Sequence, residues 1–333
     1  MKKISTFLIS FVSFFLFSCG STRQIPSWVT PDWTTAFPNS RFLAQRGVAE
    51  SAETAKTEAL SQLSQYIRTN VNANITTSVT HMERNKKVTD SALIQTDVAI
   101  QSNVELFGVE YTVPFHVKSE KRWYCVAYIN RERAWTQYVP KIELAKNLFY
   151  SFYNSARVEG EPFFIMSDYK NAWEHGKEFL TTLEYGRLIH PDRERMYAAD
   201  RAKLAEIPVK IDNERRQIAI QLNIQGDYNG IITTALENAF KKSGLTVSKK
   251  GNYMADVEIK PNSDGKSPLA VYPEIDLKLT ASSGQTVYSY KDRLSERTVA
   301  YSLETAQKKA YPVFARQIEE NIYNDLSKTR AEH

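Results

Sequence analysis

Two periodicities divide the chain into strands and helices. From Val109 to Lys118, Val109, Tyr111, Val113, Phe115 and Val117 alternate with Glu110, Thr112, Pro114, His116 and Lys118. A period of two is that of a strand with one buried face. Ser119 to Lys121 make a turn, after which Trp123, Cys125, Ala127 and Ile129 share a face of the returning strand. The pattern predicts a hairpin with Cys125 pointing into a core. An earlier strand is expected over Arg41 to Ala49, then a helix capped by Ser51, with Glu53 at the positive end of its dipole. Ala52, Ala55, Ala59, Leu63, Ile67 and Val71 recur every three or four residues, one buried stripe. It opens on alanines, which let a helix approach a sheet closely. A polar loop is expected near His81 to Asp90, and Asn130 caps a helix that follows the hairpin.

The middle of the chain reads as helical, with helices at Glu143 to Asn154, Phe163 to Leu188 and Pro191 to Ala205. Met166, Tyr169, Trp173, Phe179 and Leu183 supply an apolar seam between them. Alternation then returns at Ile218, Ile220, Leu222 and Ile224, ended by Gly226-Asp227. A helix carrying Ile231, Ile232, Ala235, Leu236, Ala239 and Phe240 stops at Gly244, a residue suited to a left-handed C-terminal position. Strands are expected at Leu245 to Ser248, Ala255 to Pro261, Glu274 to Ala281 and Thr286 to Leu294, the last two forming an edge hairpin. Ser302 opens a final helix bent near Pro312. The fold class is α+β: two small mixed α/β domains with mainly antiparallel sheets, over 41–140 and 207–333, joined by a helical connector over 141–206.

The N-terminus changes the picture from shape to address. Lys2 and Lys3 precede an apolar run of 11 residues from Phe7 to Phe17, broken by Ser10 and Ser13. That is the plan of an export signal, and it is too short to span a hydrocarbon core, which needs about 20 residues. Leu16-Phe17-Ser18-Cys19 resembles the bacterial lipobox, with Phe17 departing from the small or aliphatic residue usual there. Residues 1–18 are therefore expected to be a signal peptide and Cys19 a lipidated first residue, with 19–40 as a tether in which Pro26, Pro31 and Pro38 forbid a helix. Gly20 after the cysteine carries no inner-membrane retention signal of the aspartate type, so the outer membrane is the expected address.

Loss of residues 1–18 lowers the net charge from +5 to +3. This small excess implies no nucleic-acid partner. One thiol then remains, Cys125, so no intramolecular disulfide is expected.

Several residues of the first domain look like the LPP20 family of bacterial lipoproteins. They are Pro26-Ser27-Trp28 after the cysteine, Phe42-Leu43-Ala44 running into Gly47-Val48-Ala49, the alanine-led helix Ala52 to Leu63, and Trp123-Tyr124-Cys125-Val126-Ala127-Tyr128. The likeness covers about Pro26 to Val139, and a similar unit occurs in flagellar assembly lipoproteins of the FlgT type. The last domain is similar in element order to small domains of envelope assembly proteins related to TolB and CsgG. The resemblance implies a non-catalytic scaffold or assembly role among envelope proteins, with a lipid anchor in the membrane.

Candidate chemistry is sparse. The best local set of metal-ligand types is Glu174, His175 and Glu178, with His190 and Asp192 beyond it. Lys177 among them makes a solvated helix face the favoured reading. No Gly-x-Ser-x-Gly elbow or phosphate-cradling glycine cluster occurs. Cys125 sits in an apolar strand face that would hold its thiol protonated. His116 and His81 fall at ordinary surface positions, and Asn74-Ile75-Thr76 is a chance sequon. No catalytic, cofactor or metal residue is assigned. Tyr150, Phe152, Tyr153, Phe163, Phe164, Tyr169 and Trp173 form a stripe that reads first as packing and second as a partner surface. The leading expectation is thus an anchored interaction protein. The competing one is a module binding a small ligand or cell-wall polymer between the last domain and the helices. A hydrolase using Glu174 and Glu178 stands third.

Overall fold

The computed structural model describes residues 24–86, 108–265 and 268–327. The first sheet is built on β1 (Phe42–Ala49) and β4 (Arg122–Asn130), antiparallel from Phe42 opposite Asn130 to Ala49 opposite Trp123. Beyond β4 lie β2 (Val109–Tyr111) and β3 (Phe115–Val117), both antiparallel to it. The long strand expected over Val109 to Lys118 is therefore two short ones. Pro114 has no N–H to give the ladder. At the break Val126 N donates to the Thr112 hydroxyl (3.0 Å), while Thr112 N donates to Val126 O (3.0 Å). Val113, expected to face inward, is 84% exposed.

Helix α1 (Ala52–Lys86) crosses one face of this sheet. Its 35 residues extend about 52 Å at the usual rise. It is capped by Ser51, whose hydroxyl accepts from Thr54 N at 3.1 Å. Its buried stripe is Ala55, Ala59, Leu63, Ile67, Val71 and Ile75. Ala52, at the head of the expected stripe, is only half-buried. The alanines serve the predicted close approach: a Cβ on Gly47 would lie 2.1 Å from Ala55 O and 2.4 Å from Ala59 N. His81 lies within this helix and not in the loop expected there, because the stripe continues past Val71.

The helical middle differs from expectation at its ends. Helix α2 (Arg131–Ser155) starts at the expected Asn130 cap and is continuous through Pro140, so the helix after the hairpin and the one expected from Glu143 are one. Asn130 Oδ1 accepts from Arg133 N (3.1 Å), and buried Trp135, Tyr138 and Ile142 hold both sides of the proline in place. Helix α3 (Pro162–Ile189) matches its expected span closely. After one turn at Pro191–Glu194, α4 (Ala198–Arg216) passes through Pro208 and ends well beyond Ala205, where Ile207 and Ile211 keep the apolar face going.

The second sheet runs β10-β8-β7-β5-β6, with β9 also on β8. Its strands are β5 (Ala219–Gln225), β6 (Thr246–Val247), β7 (Tyr253–Ser263), β8 (Leu269–Ala281), β9 (Thr286–Arg293) and β10 (Thr298–Ala300). Helix α5 (Ile231–Lys242) connects β5 to its parallel neighbour β6, β7 is parallel to β5, and the other pairings are antiparallel. Gly226 and Gly244 sit at φ +80° and +74° at the ends of β5 and α5, as their turns require. Helix α6 (Leu303–Ser327) packs on α5 and β8. An antiparallel sheet, a mixed sheet with mainly antiparallel pairings, and long helices make the fold α+β, as the periodicities predict.

One contiguous buried cluster runs from Leu43 to Leu326 through the helical middle, with a satellite of Ala49, Ala55 and Cys125 under the first sheet. Contacts across the last junction are specific. Tyr253 donates its hydroxyl proton to Glu161, Phe163 lies 6.5 Å from Tyr288 between ring centroids, and Lys170 Nζ donates to Leu326 O at 2.6 Å.

Candidate functional site

Cys19 lies outside the described residues, but the chain that follows it is placed from Gln24 onward. Two single turns, Ser27–Val29 and Trp33–Thr35, carry it over the face of the first sheet opposite α1. There Arg46 Nη1 donates to Val29 O (3.0 Å) and Thr30 O (2.8 Å), and its guanidinium lies between the rings of Trp33 and Tyr124, at 5.5 and 5.4 Å. Trp28 meets Phe115 edge-on at 6.4 Å, and Phe37 packs on Phe42 and Tyr128 at 5.5 and 4.8 Å. Arg131 closes the far end, donating to Asn39 O (2.6 Å), Leu188 O (2.5 Å) and Ile189 O (2.8 Å). Burial lowers the pKa of this arginine. The tether is thus bonded to the sheet and, through Arg131, to the C-terminus of α3. Neither arginine was marked by spacing, because each is read only against backbone carbonyls distant in sequence.

The residues that could carry chemistry are dispersed into packing. Glu174 pairs with Lys177 at 2.6 Å, His175 stacks on Phe152 at 4.0 Å, and Glu178 is exposed. His190 Nε2 is 2.8 Å from Glu132 Oε1, and Glu132 also binds Arg193 at 2.6 Å. Asp192 pairs with Arg195 at 3.2 Å. The histidine hydrogen bond is the largest influence holding the Glu132 carboxyl below its usual range. Among the described residues no three His, Cys, Asp or Glu side chains converge as metal ligands.

Cys125 is fully buried, its thiol donating to Thr112 O at 3.4 Å, and burial pushes its pKa up. The opening satellite core around it agrees with the inward reading from the strand pattern. His116 is exposed and stacks on Trp123 at 4.9 Å. Asn74 sits within α1.

The aromatic stripe of the middle is mostly seam. Phe163, Tyr169 and Trp173 are buried, while Tyr150, Phe152, Tyr153 and Phe164 pack half-buried against the same core. Their hydroxyls reach across helices. Tyr150 donates to Asp200 (2.8 Å), Tyr153 to Glu206 (3.1 Å) and Tyr197 to Glu143 (2.6 Å). Lys210 Nζ sits between the hydroxyls of Tyr153 and Tyr169, at 3.2 and 3.1 Å. Burial, then the Asp200 carboxylate, pushes the Tyr150 phenol up to about 12.

Two buried polar groups have no counterpart in the sequence reading. Lys170 is buried, and that burial, then the nearby Arg215 charge, pulls its ammonium down to about 8. Arg201 bridges two buried carboxylates, Glu184 Oε1 at 2.5 Å and Glu194 Oε1 at 2.6 Å. Ser78 adds a 2.7 Å hydrogen bond to Glu184 from α1. A buried charge has no period, so only the packed helices disclose it.

No family model matches the chain, and no curated protein matches it. Among solved structures it is similar to the secreted protein HP1454 of Helicobacter pylori, at 15% identity and a TM-score of 0.33 over 84% of this chain and 97% of that one. It is also similar to a minor lipoprotein of Acinetobacter baumannii, at 15% identity and a TM-score of 0.26 over 32% and 91%. A DUF330 protein of Xanthomonas campestris gives 15% and 0.24 over 33% and 81%. At this identity and these TM-scores, no function follows from the likeness. No helix among the described residues is long and apolar enough to cross a membrane.

Proposed function

We propose that the chain is a bacterial envelope lipoprotein, held at the outer membrane through acylated Cys19 and acting by protein contacts without catalysis of its own. The observation that carries this reading is the tether. The sequence supplies a basic, apolar and small-residue leader ending at Cys19, and ten residues later, at Val29, the chain is already bound down on the first sheet. A segment so arranged couples an anchor to a folded body at close range. Several acyl chains, each contributing roughly 0.8 kcal/mol per buried CH₂, would make the attachment permanent.

Supporting it, Glu174, His175, His190 and Asp192 each meet a different partner instead of converging on one point. The likeness of Pro26 to Val139 to LPP20 lipoproteins points the same way, toward a scaffold or assembly role among envelope proteins. The test is metabolic labelling with a fatty-acid probe, comparing wild type with Cys19→Ala, followed by fractionation and crosslinking in intact envelopes. Label lost in the variant, and wild type in the outer-membrane fraction with discrete crosslinked partners, is the expected result. An unlabelled wild-type product, or one found free in the medium, refutes the anchor. Labelled protein without any crosslinked partner refutes the contact role.

A further inference from the structure

We infer that the tether-covered face of the first sheet is a membrane-contacting surface, lying against the phospholipid headgroups in which the Cys19 anchor is embedded. The inference rests on the lipid-anchor reading above and adds to it an orientation and a contact surface.

The leash is short. From Cys19 to Pro26 the chain has seven residue steps, which fully extended reach about 25 Å. Pro26 begins the docked turn, since Val29 N donates to Pro26 O at 2.9 Å. The body can therefore stand off by no more than that distance where the tether emerges.

What lies at that point suits a lipid surface. Val48, Tyr124 and Phe115 are direct neighbours across β1, β4 and β3, and so share one face. Trp28 sits edge-on against Phe115. Close to this row along the chain are exposed aliphatic side chains, Ile25 at 55%, three residues before Trp28, and Val113 at 84%, two before Phe115, and Val48 in the row is itself 38% exposed. Tryptophan and tyrosine, each with an apolar body and a polar tip, are the residues favoured where hydrocarbon meets headgroup. The turn joining β3 to β4 adds exposed Lys118, Lys121 and Arg122. Glu120 is occupied by the Tyr124 hydroxyl, and Glu50 stands 4.0 Å from Arg122. Among the described residues neither Lys118 nor Lys121 meets a carboxylate within ion-pair distance, leaving both ammonium groups for lipid phosphates. Their aliphatic stems can lie along the apolar row while the charged tips stay in the headgroup layer.

The experiment uses the full acylated chain in phospholipid vesicles. An environment-sensitive fluorophore is placed on Val113→Cys or, separately, on Tyr301→Cys, an exposed position after the last strand of the second sheet. Cys125 is buried and escapes labelling. Quenching by lipids carrying a quencher near the headgroup is expected to be several-fold stronger at 113 than at 301. It should persist when about ten Gly/Ser residues are inserted after Gly20 to lengthen the leash. Equal quenching at both sites, none at either, or loss of the 113 signal on lengthening overturns the inference. The mass of the N-terminal peptide, read on the same samples, reports acylation separately. An acylated protein that fails the quenching test refutes the surface alone, and an unacylated one refutes the anchor.

Discussion

Replacing Arg201 by methionine tests whether the helical middle is held by its buried charges. Arg201 gives Nη1 to Glu184 and Nε to Glu194, carboxylates whose side chains are 0% and 6% exposed. Removing one partner of a buried ion pair costs about 3 to 5 kcal/mol, because the other charge is left without compensation. Glu184 would keep the Ser78 hydrogen bond and a distant Arg187 guanidinium at 3.9 Å. Glu194 would keep no cation within ion-pair distance among the described residues. Because the Arg201 side chain is itself 21% exposed and Glu184 keeps those two partners, the lower end, about 3 kcal/mol, is expected for Arg201→Met. That is a large share of the roughly 5 to 15 kcal/mol that stabilises an ordinary fold. Urea unfolding of the chain from Gly20, followed by circular dichroism, measures it as a drop in midpoint of about 1 M for a slope near 3 kcal/mol per molar. The triple change Arg201→Met, Glu184→Leu, Glu194→Leu removes all three charges together and should regain most of the loss. A single variant within about 1 kcal/mol of wild type, the worth of an exposed pair, would refute the reasoning. So would a triple variant no more stable than the single one.

Gly47→Ala should cost several kcal/mol, about as much as a severe overpacking substitution, since its Cβ would meet the backbone of α1 at 2.1 Å; an unchanged midpoint in the same urea assay contradicts this. Lys170 sets a pH dependence. Its folded-state pKa of about 8 lies below that of a free lysine, so between that value and the unfolded pKa the unfolded chain binds more protons and stability rises with pH. The rise is of the order of 3 kcal/mol across the window. Lys170→Met should abolish it, as read from unfolding midpoints at pH 7.5 and about pH 9.5. Arg46→Ala should free the tether, speeding limited proteolysis between Gln24 and Phe37 several-fold while leaving β1 protected; an unchanged cleavage rate would show that the aromatic contacts alone hold the segment.

The order of strands and helices was legible because burial on one face imposes a period, and the periods survive in the letters. The α1 stripe from Ala55 to Val71, the inward Cys125, the Gly244 stop and the β8–β9 hairpin all follow from that rule. Element ends were less legible. Pro140 and Pro208 lie inside helices whose flanking apolar residues are buried, so packing outweighs the lost backbone hydrogen bond. Pro114 acted in the opposite direction, splitting an expected strand, because it falls at a sheet edge where Thr112 can stand in for the backbone.

What the sequence determines alone is local. It specifies the α+β alternation and the faces that turn inward, since each depends on neighbours a few residues away. The tertiary structure decides the rest. Arg46 gripping carbonyls 16 and 17 residues earlier, Arg201 joining Glu184 to Glu194, and Lys170 closing on Leu326 bring together groups separated along the chain. Their pairing carries no periodic signature, because the energy that fixes it is the cost of leaving a polar group buried without a partner, and burial is a property of the packed whole.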